Sequence, residues 1–427
     1  MVGYKENRSI FLLLQNNKKG KVKYMNVAIL GFGVVGSGVA EVISKNADAI
    51  LENSGIELKL RRILDIRDFE NNEFSALMTK NFDDVCNDGD IDIVVETMGG
   101  VNPAFDFVSS CLKKGKHVVT SNKELVAKKG FELLTLAREN NVNFLFEASV
   151  GGGIPIIRPI SRCLAGNRIG EIAGILNGTT NFILDKMIVD KMSFEDALKL
   201  AQENGFAERD PSADVDGHDA CRKICILASL AFGHHVYPDG VYTEGISKIT
   251  LKDVEDAGRL GYVIKLIART KMLESGKIMI MVSPALVKKE SILAGVNGVF
   301  NACLVRGDAT GDILMYGKGA GKLATASAVV GDVIDCAANN EKRKFFGWGA
   351  PKENFIEEHE NTETALFLRL GKTGIEEELR GVLPVAELTE SDGETLVITG
   401  LGIEKELMKA IGTVSVKPDS VIRVTDY

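Results

Sequence analysis

From Met25 to Phe146 the chain alternates short apolar runs with helix-patterned stretches, and the first turn of that alternation reads Gly31-Phe32-Gly33-Val34-Val35-Gly36. Nothing else restricts the fold so strongly. Val27 to Leu30 has the pattern of a strand and Ser37 to Ile43 that of a helix, so the glycines fall on the connecting turn. Gly31 permits the tight turn, Gly33 lets the backbone approach a pyrophosphate, and Gly36 lets helix and strand pack closely with the helix N-terminus facing the phosphates. Further strands are predicted at Leu58 to Leu64, Ile91 to Glu96, His117 to Thr120 and Asn143 to Phe146, with helices at Pro103 to Lys114 and Glu124 to Asn140. Strands separated by helices mean a parallel sheet wrapped on both faces. A Rossmann-type α/β domain binding NAD or NADP is therefore expected over residues 25–155, behind an extension at 1–24.

The second strand ends in Asp65-Ile66-Arg67-Asp68. Asp65 would accept a hydrogen bond from the ribose hydroxyl of NAD, whereas Arg67 would pair with the 2′-phosphate of NADP, and both readings stand. Ligands on such sheets bind beyond the carboxyl ends of strands. Two of those ends are polar, Thr97-Met98-Gly99-Gly100 and Thr120-Ser121-Asn122-Lys123. Lys123 reads equally as a solvated lysine at a helix start and as a residue of the site.

Farther on, AQENGFAERDPSADVDGHDACRK (201–223) places an acidic loop before a helix. Asp210-Pro211 marks a turn, and Asp219 and Lys223 lie one helical turn apart at the head of Ala220 to Leu230. Taken alone they would form a surface ion pair worth roughly 0.3–0.5 kcal/mol.

Composition limits the alternatives. A chain of 427 residues is expected to form two or three domains. The net charge of −8, with no basic block, argues against a nucleic-acid partner. Seven cysteines without a CxxC pair suit a reducing compartment. The apolar run Ile10 to Leu14 is too short for an export signal and no run reaches membrane-spanning length, so a cytoplasmic protein without membrane contact is expected.

Several motifs together, GFGVVGSG, VVETMGG, TSNKELVA, FEASVGGGIPII, LNGTTNFIL and the 201–223 segment, resemble homoserine dehydrogenases, and the likeness runs in order from Met25 to Cys336. That resemblance implies reversible NAD(P)-dependent oxidation of L-homoserine to L-aspartate 4-semialdehyde, a step in threonine and methionine biosynthesis. By the same resemblance Lys223 handles the reacting oxygen as acid or base and Asp219 orients it. Lys123 stands near both cofactor and substrate. Glu208 holds the substrate ammonium, Asp214 closes the pocket, and Asn177, Gly178 and Thr179 line it. Thr97 and Met98 adjoin the cofactor, as does Gly321 at the start of a helix (319–337) that returns to the nucleotide domain. The family's sodium ion is implied at Glu147 and at the carbonyls of Val150, Gly152 and Ile154. A proton acceptor near neutrality requires a lysine with a lowered pKa, which burial supplies and a nearby carboxylate opposes.

Residues 156–318 are then an α+β catalytic and dimerisation domain, with strands at Glu171 to Leu176, Ile278 to Val282 and Gly298 to Val305, in a homodimer or homotetramer. Residues 339–360 read as a linker and 361–427 as a βαββαβ tail resembling the ACT module, with Gly371-Lys372-Thr373-Gly374 in place of the usual Asp-x-Pro-Gly turn. A threonine-binding tail and a purely structural one both fit. Two rival functions fit the scaffold: a dehydrogenase of another amino-acid semialdehyde, and a silent nucleotide or amino-acid sensor.

Overall fold

The computed structural model describes residues 22–69 and 72–427, so most of the 1–24 extension lies outside the described residues. Strands β1 (Lys23–Leu30), β2 (Ile56–Leu64), β3 (Met78–Thr79), β4 (Ile93–Glu96), β5 (His117–Thr120) and β6 (Phe144–Leu145) form one sheet in the order β3-β2-β1-β4-β5-β6. Every pairing in it is parallel. β4 and β5 are buried along their whole length, as expected where helices cover both faces. The helix Lys322–Ala338 returns to this sheet and packs against the helix Val34–Lys45, burying Ala326, Val329 and Val333 among Ile29, Val39 and Val95. This is the expected Rossmann arrangement.

The remaining strands are β7 (Ile169–Ile175), β8 (Tyr242–Thr243), β9 (Tyr262–Met272), β10 (Ile278–Lys288), β11 (Phe300–Gly307), β12 (Gly311–Lys318), β13 (Glu363–Leu370), β14 (Val385–Ser391), β15 (Glu394–Thr399), β16 (Gly402–Ile403) and β17 (Ser420–Thr425). They build a mixed sheet in the order β12-β11-β7-β9-β10-β17-β13-β15-β14, with β8 on β10 and β16 on β13. The helix His218–Phe232 lies on β7, β9 and β10 and touches the helix Lys123–Glu139 of the first domain on its other side. Enclosed from both directions, it is buried from Ile224 to Leu230 without a break.

Three expectations need correction. The strand predicted to stop at Val282 continues to Lys288 through Pro284. Along that edge β8 pairs up to Val282 and β17 from Ala285, so the proline falls in the gap where no N–H is required. β9 was not foreseen because Lys265 interrupts its apolar pattern, yet Lys265 is buried and donates to Val296 O at 2.6 Å. Residues 339–360 are not a free linker. Trp348 is buried, donates to His235 Nδ1 at 3.1 Å and packs edge-on against Phe146, while Gly349 and Gly233 pair through the backbone, fastening this segment across both domains.

The tail runs β13, helix Glu376–Val382, β14, β15, helix Glu404–Ile411, β17, the split βαβ order. It extends the catalytic sheet through parallel pairing of β17 with β10. Ion pairs reinforce this joint: Arg369 with Asp253 at 3.0 Å, and Arg423 with Glu244 at 2.8 Å.

Candidate active site

The glycine turn leaves β1 at the edge of a cleft between the two domains. Gly31 has φ +94°, and a Cβ at Gly36 would lie 1.9 Å from Gly31 O, so the first helix can approach the strand only with glycine there. Around Gly33 no atom lies within 4 Å of a would-be Cβ, which leaves open room for a ligand's phosphates. Thr97 Oγ1 donates to Gly31 O at 2.8 Å, tying the β4 end to the same turn.

Asp65 and Arg67 face each other rather than competing. Arg67 donates to both carboxylate oxygens at 2.9 and 2.8 Å, and Phe32 N donates to Asp65 Oδ2 at 2.7 Å. The Arg67 hydrogen bonds, helped by main-chain N–H groups and outweighing burial, hold the Asp65 carboxyl well below the usual range. Asp65 is thus occupied, while the Arg67 guanidinium stays 59% exposed above it.

Across the cleft, a space of about 930 Å³ brings together Val34, Val35, Lys123, Val150, Gly152, Asn177, Gly178, Thr179, Glu208, Asp214, Asp219, Lys223 and Gly321. Asp65, Arg67, Thr97 and Met98 stand outside that lining, next to the glycine turn. Gly217, at φ +85°, opens the helix His218–Phe232 and turns Asp219 and Lys223 inward. Asp219 is the hub. Lys223 Nζ lies 2.7 Å from its Oδ2, Lys123 Nζ contacts its Oδ1, and Asn177 Nδ2 donates to Oδ2 at 2.9 Å and to Asp214 Oδ1 at 2.6 Å. Lys223 also donates to Leu176 O at 2.7 Å. Asn177 caps the helix Gly178–Val189 through Thr180 N, and Thr179 Oγ1 donates to Phe206 O at 2.7 Å, fixing the loop that carries the exposed Glu208.

The two lysines differ in setting. Lys223 has 9% of its side chain exposed and Lys123 42%. Burial pushes Lys223 below the ordinary lysine value against the pull of Asp219. For Lys123 burial also works against the charge, but Asp219 outweighs it and the value rises. Asp219 is held well below the usual carboxylate range, burial being overcome by the two lysines.

The Glu147 carboxylate anchors the turn that follows the glycines. It accepts Ile156 N at 2.6 Å, Ile157 N at 2.8 Å and Arg158 N at 2.7 Å, so it is occupied by the start of the following turn. The nearby carbonyls of Phe146 and Gly151 accept Ser149 N and Ile154 N. Outside the regular helices and strands, those of Glu147, Val150, Gly152 and Ile154 accept no main-chain hydrogen bond among the described residues and are candidate oxygens for a hard cation.

Sequence reasoning missed Leu176 O, which no side-chain pattern marks, and Glu96, whose signal was a carboxylate closing an apolar strand. Among the described residues no helix is long and apolar enough to cross a membrane.

Residues 31–147 match the model for "Homoserine dehydrogenase, NAD binding domain" and residues 155–334 that for "Homoserine dehydrogenase". A homoserine dehydrogenase of Bacillus subtilis is 42% identical over 74% of this chain and 74% of its own. The crystal structure of a homoserine dehydrogenase from Thiobacillus denitrificans superimposes with a TM-score of 0.87 at 37% identity, covering 95% of this chain and 99% of that one. A hyperthermophilic archaeal homoserine dehydrogenase in complex with NADPH gives 0.63 at 29% identity, over 75% of this chain and 100% of that one. With two family models across most of its length and such relatives, the chain belongs to the homoserine dehydrogenase family.

Proposed function

We propose that this chain interconverts L-homoserine and L-aspartate 4-semialdehyde in threonine and methionine biosynthesis, with Lys223 as the group that exchanges the alcohol proton. A nicotinamide cofactor, when bound, supplies the hydride acceptor or donor. The observation that carries the reading is the setting of Lys223 Nζ, buried at the cleft floor with two fixed acceptors, Leu176 O and Asp219 Oδ2. A neutral amine has two N–H donors and one lone pair. Both donors are matched, so the lone pair faces the third direction, where the homoserine hydroxyl would sit. In oxidation that proton moves to Nζ as the C–H bond yields its hydride, and in reduction Nζ returns it. Burial makes the neutral form accessible, which answers the difficulty of an ordinary lysine acting as a base.

Lys123 keeps its charge beside the same carboxylate and stabilises negative charge growing on the substrate oxygen. Glu208, exposed on the loop that Thr179 anchors, suits the substrate ammonium, and Asp214, held by Asn177, closes the pocket. The exposed Arg67 fork favours NADP, since Asp65 is already engaged and a 2′-phosphate fits a guanidinium.

A sodium ion at the four candidate carbonyls would brace the crossover between domains, with Glu147 acting through its main chain only. The βαββαβ tail supports an ACT-like reading with threonine as candidate effector, and the half-exposed Tyr316 stacked on Phe300 supports pairing of copies through the catalytic sheet. The test is turnover by the unaltered chain, followed at the nicotinamide absorbance with L-homoserine, other amino-acid semialdehydes, NAD and NADP. Turnover with homoserine, faster with NADP, supports the reading. Cofactor binding without turnover of any of these would sink it in favour of a sensor.

A further inference from the structure

Glu96 closes β4 at the carboxyl edge of the parallel sheet and is fully buried. Its carboxyl accepts from groups in two different turns. From the turn after β4, Met98 N donates to Oε1 at 2.7 Å and Gly99 N at 3.4 Å. From the turn after β5, Thr120 Oγ1 donates to Oε2 at 2.6 Å and Asn122 Nδ2 approaches Oε1 at 3.5 Å. Asn122 closes the figure: it donates to Gly100 O at 2.6 Å and caps the helix that begins with Lys123 by accepting Leu125 N at 3.1 Å.

The direction of every bond is fixed. Thr120 Oγ1 accepts Asn122 N at 2.9 Å, and among the described residues its own proton has no acceptor but Glu96. The cage therefore aims a donor at each carboxyl oxygen. A carboxylate accepts at both; a glutamine must turn its NH2 toward Met98 N and lose that bond, or toward Thr120 and leave the Thr120 proton without a partner. Desolvation pushes the Glu96 carboxyl upward, and no cation offsets it. Hydrogen bonds alone keep this acid in place.

We propose that Glu96 is a positioning residue for hydride transfer, setting together the Thr97–Gly100 turn beside the cofactor glycines and the Thr120–Lys123 turn that aims Lys123 at Asp219. The inference rests on the dehydrogenase reading above. Through Thr97 the first turn is continuous with Gly31 O, and through Lys123 the second is continuous with Asp219 and Lys223. Both halves of the site thus share one buried reference point.

The experiment uses the full chain with Glu96→Gln, Thr120→Val and Thr120→Ser, measuring NADPH dissociation constant by fluorescence, kcat with L-homoserine and melting temperature. Glu96→Gln is expected to weaken NADPH binding about tenfold and lower kcat about tenfold at temperatures where the protein is fully folded. Thr120→Val is expected to reduce kcat with little change in NADPH affinity, because the Met98 and Gly99 bonds survive, and Thr120→Ser to stay within about twofold of the parent by keeping the hydroxyl. If Glu96→Gln fails to fold, the contrast between valine and serine at 120 carries the test. Variants that lose only melting temperature, with NADPH affinity and kcat unchanged, would overturn the inference. A parent chain that binds NADPH without turning over homoserine removes the dehydrogenase reading instead, and the NADPH affinities still decide for or against Glu96.

Discussion

Two regions of the molecule present a lysine to the same carboxylate, in settings that differ in burial. Lys123 comes from a strand-end turn of the parallel sheet, reaches Asp219 from the cleft side and remains substantially exposed. Lys223 comes from a helix enclosed by the second sheet on one side and by the first domain on the other, and it is almost wholly buried. One carboxylate cannot hold two ammonium groups equally once they leave water. The more deeply buried one bears the larger desolvation cost, and its value falls while that of Lys123 rises, which is why the proposal gives Lys223 the proton transfer. Domain packing, more than residue type, sets the two lysines apart.

Breaking the Lys223 side should have the largest effect. Lys223→Ala is expected to lower kcat by about 10²–10⁴-fold. Lys223→Arg should fall nearly as far, because a guanidinium cannot lose its proton near neutrality. Recovery of activity by arginine would show that charge alone is needed and would erase the distinction between the two lysines. Asp219→Asn removes the charge shared by both, and about a hundredfold loss of kcat is expected, with a lower melting temperature from a poorly compensated buried Lys223. Lys123→Met should cost about tenfold in kcat and weaken cofactor binding as well. If it cost as much as Lys223→Ala, the roles would need exchanging. Arg67→Ala should shift the NADP to NAD preference about tenfold toward NAD without altering the maximal rate. Arg369→Ala, far from the cleft, tests the other extreme: it should destabilise the protein by about 3 kcal/mol in denaturant unfolding by leaving buried Asp253 without its cation, with NADPH affinity unchanged.

The sequence disclosed the nucleotide half of this site more fully than the catalytic half, for a physical reason. A glycine turn between strand and helix is a local device, so Gly31, Gly33 and Gly36 could be placed from their spacing alone. The pair Asp219 and Lys223 has local spacing too, but its meaning depends on what covers the helix. As a bare pattern it was a surface ion pair; enclosure by β7, β9 and β10 and by the helix Lys123–Glu139 turns it into a buried one. The motif resemblance supplied the roles that spacing could not. Leu176 O was invisible because a main-chain acceptor leaves no side-chain signature. The strand expected over Ile278 to Val282 stops short of Pro284, since a proline breaks a strand unless the neighbouring strands leave a gap, which only the pairing of β8 and β17 reveals. Trp348, set among charges, was taken into a linker, although a buried indole is what fastens that segment to His235.

The central claim, that Lys223 passes the proton as a neutral amine while Lys123 stays charged, is tested most directly by the pH dependence of kcat in both directions at saturating substrate and cofactor. Oxidation of L-homoserine needs unprotonated Lys223, so its rate should rise with pH through an ionisation below the ordinary lysine value of about 10.4. Reduction of the semialdehyde needs the protonated form and should fall through the same ionisation, and neither limb should survive in Lys223→Arg. An oxidation rate independent of pH across that range, or an ionisation that persists unchanged in Lys223→Arg, would contradict the assignment.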